Sequence, residues 1–252
     1  MSVHPVAAHG FAAAEVYERG RPGYPPEALS WLVANLRVGP STLVVDVAAG
    51  TGKLTEALVD CRVVAVEPVL TMGRLLRQKL PSAPVVAAVA EQLPLRSGAV
   101  DAVTVAQAFH WFDATRALSE FRRVLRSGGR LGVLWNVRDR TVVWVDHLWQ
   151  IMDRVEKNAP WRDHEKDPER GLGDAVGFGE LHRATFFHHH LIDRATLIDR
   201  FLSVSHVAVL PPSERQAVVD EVLSVVDAHP ETGSGEVLAM PYRVDAYWLE
   251  RL

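Results

Sequence analysis

A turn of small residues follows a short apolar run and has the composition of a ligand-binding loop. The run that begins at Val44 predicts a buried parallel strand, with Asp46 at its end. The turn at residues 48–52 is mainly alanine and glycine, which let the backbone approach a ligand closely. A helical stretch at residues 54–59 is expected to present free N–H groups at its start. Because open α/β sheets bind ligands at this end of their strands, the turn predicts a binding site.

Three patterns of glycine-rich turn hold nucleotide-like cofactors, and two of them do not fit. A triphosphate loop needs G-x-x-x-x-G-K-[ST], but Val47 and Leu54 occupy the first glycine and the Ser/Thr positions. A dinucleotide fingerprint needs a third glycine after Gly52, which is missing. The remaining pattern, D-x-G-x-G-x-G, fits with Ala48 at the first glycine position. The turn resembles motif I of class I S-adenosylmethionine-dependent methyltransferases, and a generic tight β–α turn is the alternative.

The alanine at position 48 is a departure from that motif. A positive φ at a residue with a Cβ atom costs on the order of 1 kcal/mol or more. We therefore predict that Ala48 has extended backbone, so that the turn keeps its shape.

Further features of residues 40–136 follow the same family in order. A second buried strand at residues 63–66 ends at Glu67, whose carboxylate could accept hydrogen bonds from both ribose hydroxyls. Strands are also predicted at residues 84–88, 102–106 and 130–136. The resemblance implies S-adenosyl-L-methionine as the cofactor. It also implies that this cofactor contacts Asp46, Ala48, Ala49, Gly50, Thr51, Gly52, Glu67, Pro68, Met72, Ala90, Glu91 and Gln107, with Tyr17 and Arg21 from the N-terminal leader.

The loop after the fourth predicted strand carries an unusual group of aromatic side chains. In the family, substrate contacts cluster here. His110 is a candidate base or substrate contact, because a histidine near neutral pKa can take a proton from a hydroxyl or an amine. Trp111 is a candidate wall of the substrate pocket. The alternatives are that His110 orients the helix beginning near Asp113 and that Trp111 packs in the core.

The sequence A-x-x-H-W-F-D in this loop also resembles a branch that contains trans-aconitate methyltransferases, which esterify small carboxylic acids. That resemblance implies arginines that meet the carboxylate. Arg21 and Arg243 are the candidates, and each could equally be an ordinary surface residue.

The charge balance favours a small-molecule acceptor over nucleic acid. The 252 residues carry a net charge of −4, and the pI is about 6.3, whereas nucleic-acid enzymes usually present a basic face. The arginines between positions 116 and 130 have helical spacing and are expected to form a solvated surface. No apolar run has membrane-spanning length, and no signal-peptide pattern is present. We therefore expect a cytoplasmic protein with neither nucleic-acid nor membrane partners.

No metal site is expected. The single cysteine, Cys61, excludes a thiolate cluster. His188 and His190 share one face of a predicted strand, but no acid or cysteine lies at a useful spacing.

The expected fold is one α/β domain over residues 1–252. The resemblance implies a Rossmann-like seven-stranded sheet in the order 3-2-1-4-5-7-6, with an antiparallel last strand and helices on both faces. We expect an N-terminal lid and helix in residues 1–36, a cofactor-binding core in 40–136, an exposed excursion in 159–179, and C-terminal strands with a substrate cap in 180–252. Helices are predicted at residues 26–36, 142–158, 194–201 and 212–227, the last with a capping box from Ser213 to Gln216, and strands at 181–192 and 237–249.

These expectations favour transfer of a methyl group from S-adenosylmethionine to a small molecule, at a carboxyl or hydroxyl oxygen. One alternative is a nucleic-acid or protein methyltransferase, which a closed aromatic pocket would exclude. Another is a cofactor-binding protein without transfer activity.

Overall fold

The computed structural model describes residues 14–155, 171–173, 175–232 and 236–252. The elements of the first part are α1 (Ala14–Gly20), α2 (Pro26–Asn35), β1 (Leu43–Val47), β2 (Arg62–Val66), α3 (Leu70–Lys79), β3 (Val85–Val86), β4 (Val100–Ala106), α4 (Ala114–Val124) and β5 (Leu125–Arg138). The remaining ones are α5 (Val143–Val155), β6 (His182–Asp193), α6 (Arg194–Leu202), α7 (Ser205–Ala208), α8 (Pro212–Ala228) and β7 (Val237–Glu250).

The strands form one seven-stranded sheet in the order β3-β2-β1-β4-β5-β7-β6, which confirms the predicted topology. Strands β1 to β5 pair in parallel, so the carboxyl ends of β1, β2 and β4 meet at one edge of the sheet. Strand β7 runs antiparallel to both β5 and β6. The long β6–β7 hairpin therefore extends the sheet beyond the parallel part.

Successive side chains of the central strands pack into two layers, because they point to opposite faces of the sheet. Val45 and Val103 lie in one buried cluster with Phe121 of α4. Val44 lies in the opposite cluster with Leu32 of α2. Both faces are thus covered by helices, as a buried parallel sheet requires.

A third apolar cluster lies beyond the parallel strands and joins α5, α6 and α8 to the β6–β7 hairpin. Its buried members include Trp144, Leu148, Phe201, Val222 and Tyr242. This C-terminal lobe packs against the sheet edge where the strands β1 and β4 end, and it contributes side chains to the candidate site described below.

Several local predictions were wrong. The helix expected at residues 54–59 is only one 3₁₀ turn, Thr55–Leu58, too short to act as a helix N-terminus. The capping box at Ser213 is absent because α8 begins at Pro212, whose ring favours the first helical position, and Ser213 lies inside the helix. Strand β3 has two residues rather than five.

The segment predicted to be an exposed excursion is described only in part. Residues 159–170 and 174 lie outside the described residues. Leu172 and Phe178 are buried members of the main core cluster, whereas Val176 between them is 83% exposed, so this end of the segment is buried in part. The last residues of the helix predicted at 142–158 also lie outside the described ranges.

None of the helices in the described ranges is both long and apolar enough to cross a membrane.

Candidate active site

Two adjoining cavities open at the carboxyl ends of β1, β2 and β4. The first, which we name the Glu67 cavity, has about 750 Å³ of empty space and runs from Glu67 and Met72 to Trp111. The second, the Arg200 cavity, has about 580 Å³ and runs from Asp46 and Lys53 to Arg200. Tyr17, Ala48, Gly50, Ala106 and Gln107 line both cavities.

Most of the residues predicted to bind the cofactor lie in these cavities. The Glu67 cavity is lined by Tyr17, Ala48, Gly50, Glu67, Pro68, Met72, Ala90, Glu91 and Gln107. The Arg200 cavity adds Arg21, Asp46, Ala49 and Thr51. Gly52 is in neither lining; a Cβ atom there would lie 2.9 Å from Leu76 Cγ, so this glycine lets α3 pack under the turn.

Asp46 supports the turn from inside the protein. Its carboxylate accepts hydrogen bonds from Thr55 Oγ1 at 2.6 Å and from Thr104 Oγ1 at 2.9 Å. Burial raises its pKa to about 6, and the two hydroxyls act in the opposite direction. The side chain ties β1 to β4 and to the residues after the turn, so its strongest contacts are within the protein.

Glu67 connects the end of β2 to the turn. Its Oε2 accepts a hydrogen bond from Gly50 N at 2.7 Å, and its Oε1 accepts one from Val69 N at 2.7 Å. Burial raises its pKa to about 7 despite these two hydrogen bonds. Each carboxylate oxygen has a further lone pair, so the group can still accept hydrogen bonds from a bound diol.

The prediction of extended backbone at Ala48 was wrong, because its φ is +53°. The next residue explains the geometry: Ala49 N donates to Val66 O at 3.1 Å and pulls the turn over the end of β2. Gly50 follows with φ of +59°. The motif position therefore requires the left-handed region, and alanine is held there at a cost of about 1 kcal/mol.

Helix α1 closes over the turn through one acid. Glu18 accepts hydrogen bonds from Thr51 Oγ1 and from Lys79 Nζ, and Lys53 Nζ lies 3.5 Å from the same carboxylate. Burial by itself would raise the pKa of Glu18, but the Lys79 and Thr51 hydrogen bonds bring it below the usual value. The N-terminal helix is thus fastened to both sides of the binding turn.

The two residues proposed for the acceptor side differ in position. Trp111 lines the Glu67 cavity, whereas His110 is not among the described residues that line either cavity. The His110 ring lies against Trp111, with 5.1 Å between ring centroids. Asp113 caps α4 by accepting a hydrogen bond from Arg116 N at 3.1 Å.

Sequence reasoning missed the polar residues of the Arg200 cavity, which include Tyr24, Asn136, Arg200 and Tyr242. One signal was available for Arg200: it lies three residues after Leu197 and next to Phe201, on the buried face of α6. Of the two arginines predicted to meet a carboxylate, Arg21 lines this cavity. Arg243 instead donates a hydrogen bond to Asp245 at 2.8 Å.

The two histidines considered for a metal site have other contacts. His188 Nε2 lies 2.9 Å from Asn136 Oδ1, and the imidazole rings of His188 and His190 both lie beside the Tyr242 ring. Burial lowers the pKa of both, that of His190 to about 4. Among the described residues, no cluster of three metal-ligating side chains is found.

Comparison with known proteins agrees with this geometry. Residues 45–133 match the methyltransferase domain model. An uncharacterized methyltransferase of Mycobacterium tuberculosis is 40% identical over 233 residues, which are 92% of this chain and 90% of the relative. A malonyl-[acyl-carrier protein] O-methyltransferase of Methylococcus capsulatus is 37% identical over 153 residues, which are 57% of this chain and 55% of the relative.

A solved structure from Anabaena variabilis, described as a methyltransferase from an antibiotic biosynthesis pathway, shares the fold. Its TM-score is 0.63 at 17% identity, and the match covers 90% of this chain and 98% of that chain. The chain therefore belongs to the class I methyltransferase family, which implies S-adenosylmethionine as the methyl donor.

Proposed function

We propose that the protein transfers a methyl group from S-adenosylmethionine to an oxygen atom of a small molecule. The observation that carries this proposal is the open Glu67 cavity, in which a buried carboxylate and the Gly50 turn lie at the carboxyl ends of β1 and β2. A Cβ atom at Gly50 would have no neighbour within 4 Å, so the space beside the turn is free for a ligand.

The residues present fit the cofactor. We assign the ribose hydroxyls to Glu67, the adenine to the apolar wall that includes Met72 and Ala90, and the amino-acid end to the turn near Thr51. When bound, S-adenosylmethionine supplies a methyl carbon that bonds to the acceptor oxygen while its bond to sulfur breaks and leaves the electron pair on sulfur. The remaining task of the chain is to hold the acceptor in line and to exclude water.

A carboxyl oxygen is the acceptor that suits this site best. A carboxylate is already a nucleophile and needs no general base, whereas a hydroxyl does. His110, the candidate base, does not contribute to either cavity, and we therefore assign it a role in positioning Trp111. The similar protein from Methylococcus capsulatus is named as an O-methyltransferase, which supports an oxygen acceptor.

Enclosure by the N-terminal helix supports a small-molecule acceptor. Tyr17 of α1 lines both cavities, and Glu18 fastens this helix to the turn. We propose that residues 14–36, the described part of the N-terminal segment, form a lid, and that the described part of residues 180–252, which supplies Arg200 and Tyr242, forms the acceptor cap. The formal charge of −4 is in keeping with an acceptor other than nucleic acid.

The test has two stages. First, S-adenosylmethionine and S-adenosylhomocysteine are titrated calorimetrically into the protein, and both are expected to bind at one site. Second, carboxylic acids and phenols are incubated with methyl-labelled donor, and label is expected in base-labile esters of an acid. Failure of both cofactors to bind would reject the assignment, and label appearing only in phenols would reject the carboxyl acceptor.

A further inference from the structure

A buried arginine in the acceptor cap lacks a full set of partners. Arg200 is 3% exposed and lines the Arg200 cavity. Its Nε donates to the Tyr242 hydroxyl at 3.3 Å, and its guanidinium carbon lies 5.4 Å from the centre of the Trp149 ring. Its Nη1 is buried and has no hydrogen-bond partner within the described part of the chain. A buried cation in this state is costly, so the site is built for a partner that the chain itself does not supply.

The acids around the Arg200 cavity are already engaged elsewhere. Asp199, the neighbour of Arg200 in α6, accepts a hydrogen bond from Arg19 Nε at 2.7 Å. Asp46 is held by its two threonines, and Glu18 is held by Thr51 and Lys79. No ion pair found among the described residues includes Arg200.

Two cationic side chains line the cavity in addition to Arg200. Arg21 reaches it from the lid and donates to Ser203 O at 3.3 Å, and Lys53 reaches it from the turn. The effect is visible at His190, whose pKa falls to about 4, mainly through burial and then through the positive charges of Arg200 and Lys53. Lys53 also lies 3.5 Å from the Glu18 carboxylate. Three cationic side chains against one lining carboxylate, Asp46, still give the cavity a positive potential that favours an anion.

We propose that Arg200 and Tyr242 bind a carboxylate that the methyl acceptor carries in addition to the oxygen atom that is methylated. This proposal rests on the proposed function and adds a substrate class to it. A guanidinium group matches the planar geometry of a carboxylate, and the phenol hydroxyl can donate one more hydrogen bond. A carboxylate that accepts these hydrogen bonds is a weaker nucleophile, because its lone pairs are occupied. We therefore propose that it anchors the acceptor molecule and that a second oxygen-containing group of the same molecule receives the methyl group.

A carboxylate fits this arrangement better than a phosphate does. Phosphate sites commonly use several backbone N–H groups at the first turn of a helix. Arg200 lies in the last turn of α6, Arg194–Leu202, where carbonyl groups rather than N–H groups are free. An uncharged analogue would leave the guanidinium buried and unpaired, so the site should discriminate strongly against it.

The test uses the full chain saturated with S-adenosylhomocysteine and pairs of probes that differ only in charge. The probes are succinate and phenylacetate, each compared with its neutral amide, and inorganic phosphate at equal ionic strength. Calorimetry gives the dissociation constants, and the Nε–H NMR signal of Arg200 reports contact at the guanidinium itself in the wild-type protein. The variants are R200Q, R200K, Y242F and, as a matched control, R194Q, which changes a partly exposed arginine at the start of the same helix that pairs with Asp227.

We expect one or both acids to bind saturably and to shift the Arg200 signal, whereas the amides do not. R200Q should weaken acid binding about 10- to 100-fold, Y242F should weaken it less, R200K should keep part of it, and R194Q should leave it unchanged. The amino-acid end of S-adenosylhomocysteine is assigned to the turn near Thr51 in the same cavity, so its affinity for R200Q is also measured and should fall less than the acid affinity does. Circular dichroism shows whether R200Q is folded.

Four results would overturn the proposal: equal binding of acid and amide, unchanged acid affinity in R200Q, tighter binding of phosphate than of both acids, or no saturable acid binding by the loaded protein. If R200Q does not fold, the proposal is judged by two other measurements. An acid that leaves the Arg200 NMR signal of the wild-type protein unshifted, or that binds Y242F as tightly as wild type, would overturn it. Failure of S-adenosylhomocysteine to bind the wild-type protein is a separate outcome, because it rejects the proposed function instead.

Discussion

The Glu67 carboxylate holds the turn and is also the group that we propose to bind the ribose. Its oxygens accept hydrogen bonds from Gly50 N and Val69 N, and we propose that they also accept the ribose hydroxyls of the cofactor. Burial raises its pKa to about 7, so near neutral pH a large fraction of the cofactor-free protein carries this group protonated. Hydroxyl donors favour the ionised form, so cofactor binding should release a proton.

Replacing Glu67 with glutamine should weaken S-adenosylhomocysteine binding about 10- to 100-fold, because one backbone N–H and one ribose hydroxyl lose an acceptor. Isothermal titration calorimetry measures this change. Glu56→Gln is the matched control, since Glu56 is an exposed carboxylate near the turn and lines neither cavity. Equal losses in the two variants would contradict the role given to Glu67.

The same variant tests a pH dependence of stability. The folded-state pKa of Glu67, about 7, lies above its ordinary value of 4.5. Between these two pH values the folded state therefore binds more protons than the unfolded state does. The contribution of Glu67 to the free energy of unfolding falls as the pH rises through this range. The difference between wild type and Glu67→Gln should fall by about 3 kcal/mol from pH 4.5 to pH 7. Urea unfolding of the cofactor-free proteins measures it, and a flat difference would show that the pKa is not raised.

For individual residues, the sequence could predict which types of side chain surround the site, but not which residues form hydrogen bonds with them. The motif identified Asp46 and Glu67 as site acids. The partner Thr104 is 58 positions from Asp46 and reaches it only because β4 pairs with β1. Arg200 is brought to the cavity by a helix of the C-terminal lobe; its local sequence indicates a buried position on that helix but not the cavity that it faces.

Among the elements, α1 has the most direct effect on access to the site. It contacts the binding turn through Glu18 and contacts α6 at Gly20. A Cβ atom at Gly20 would lie 2.5 Å from Arg200 N and 2.7 Å from Arg200 Cα, distances at which one of the helices must move. The proposed lid and the proposed acceptor cap therefore meet in close contact at one glycine.

The substitution Gly20→Ala should displace α1 from α6 and weaken both cofactor and acceptor binding by about tenfold. Gly23→Ala is the matched control, because a Cβ atom there has no neighbour within 4 Å. Stopped-flow measurement of S-adenosylhomocysteine dissociation should show faster release from Gly20→Ala only. Identical release rates for the two variants would mean that the close approach of the helices does not hold the lid.

The order and type of the elements were largely predictable, whereas their short irregular parts were not. Alternation in the sequence predicted a strand at residues 181–192, and β6 occupies His182–Asp193. The backbone of the turn was not predictable, because the left-handed conformation of Ala48 is imposed by the hydrogen bond from Ala49 N to Val66 O on another strand. Tertiary contacts of this kind override local preference.

Viewed as a whole, the molecule joins its parallel and antiparallel parts around Arg130. The guanidinium of Arg130 donates to Glu250 Oε2 at 2.6 and 2.9 Å and to Asn35 O at 2.5 Å, and it stacks on Trp248 at 4.3 Å. His182 stacks on the same indole ring, with centroids 4.0 Å apart. One side chain thus connects α2, β5, β7 and, through the indole, β6.

Arg130→Ala should lower the free energy of unfolding by about 2–4 kcal/mol, because two acceptors and the Trp248 ring lose their partner. Arg126→Ala is the control; its side chain is 63% exposed and pairs with Asp101, a contact worth about 0–1 kcal/mol. Urea denaturation compares the two. Similar losses of unfolding free energy in the two variants would show that Arg130 is not a structural junction. We expect the affinity for the cofactor to be unchanged in both variants, which would separate the structural role of Arg130 from cofactor binding.

The placement of β7 has a consequence for biosynthesis. It follows β6 along the chain, yet it lies between β5 and β6 in the sheet. While residues 237–250 are still inside the ribosome, β6 has no hydrogen-bonded neighbour and leaves Phe187 and Leu191 without a sheet to order them. Until β7 leaves the tunnel the sheet outside it is incomplete, and during that interval the nascent chain is most open to wrong pairing with its neighbours on the polysome.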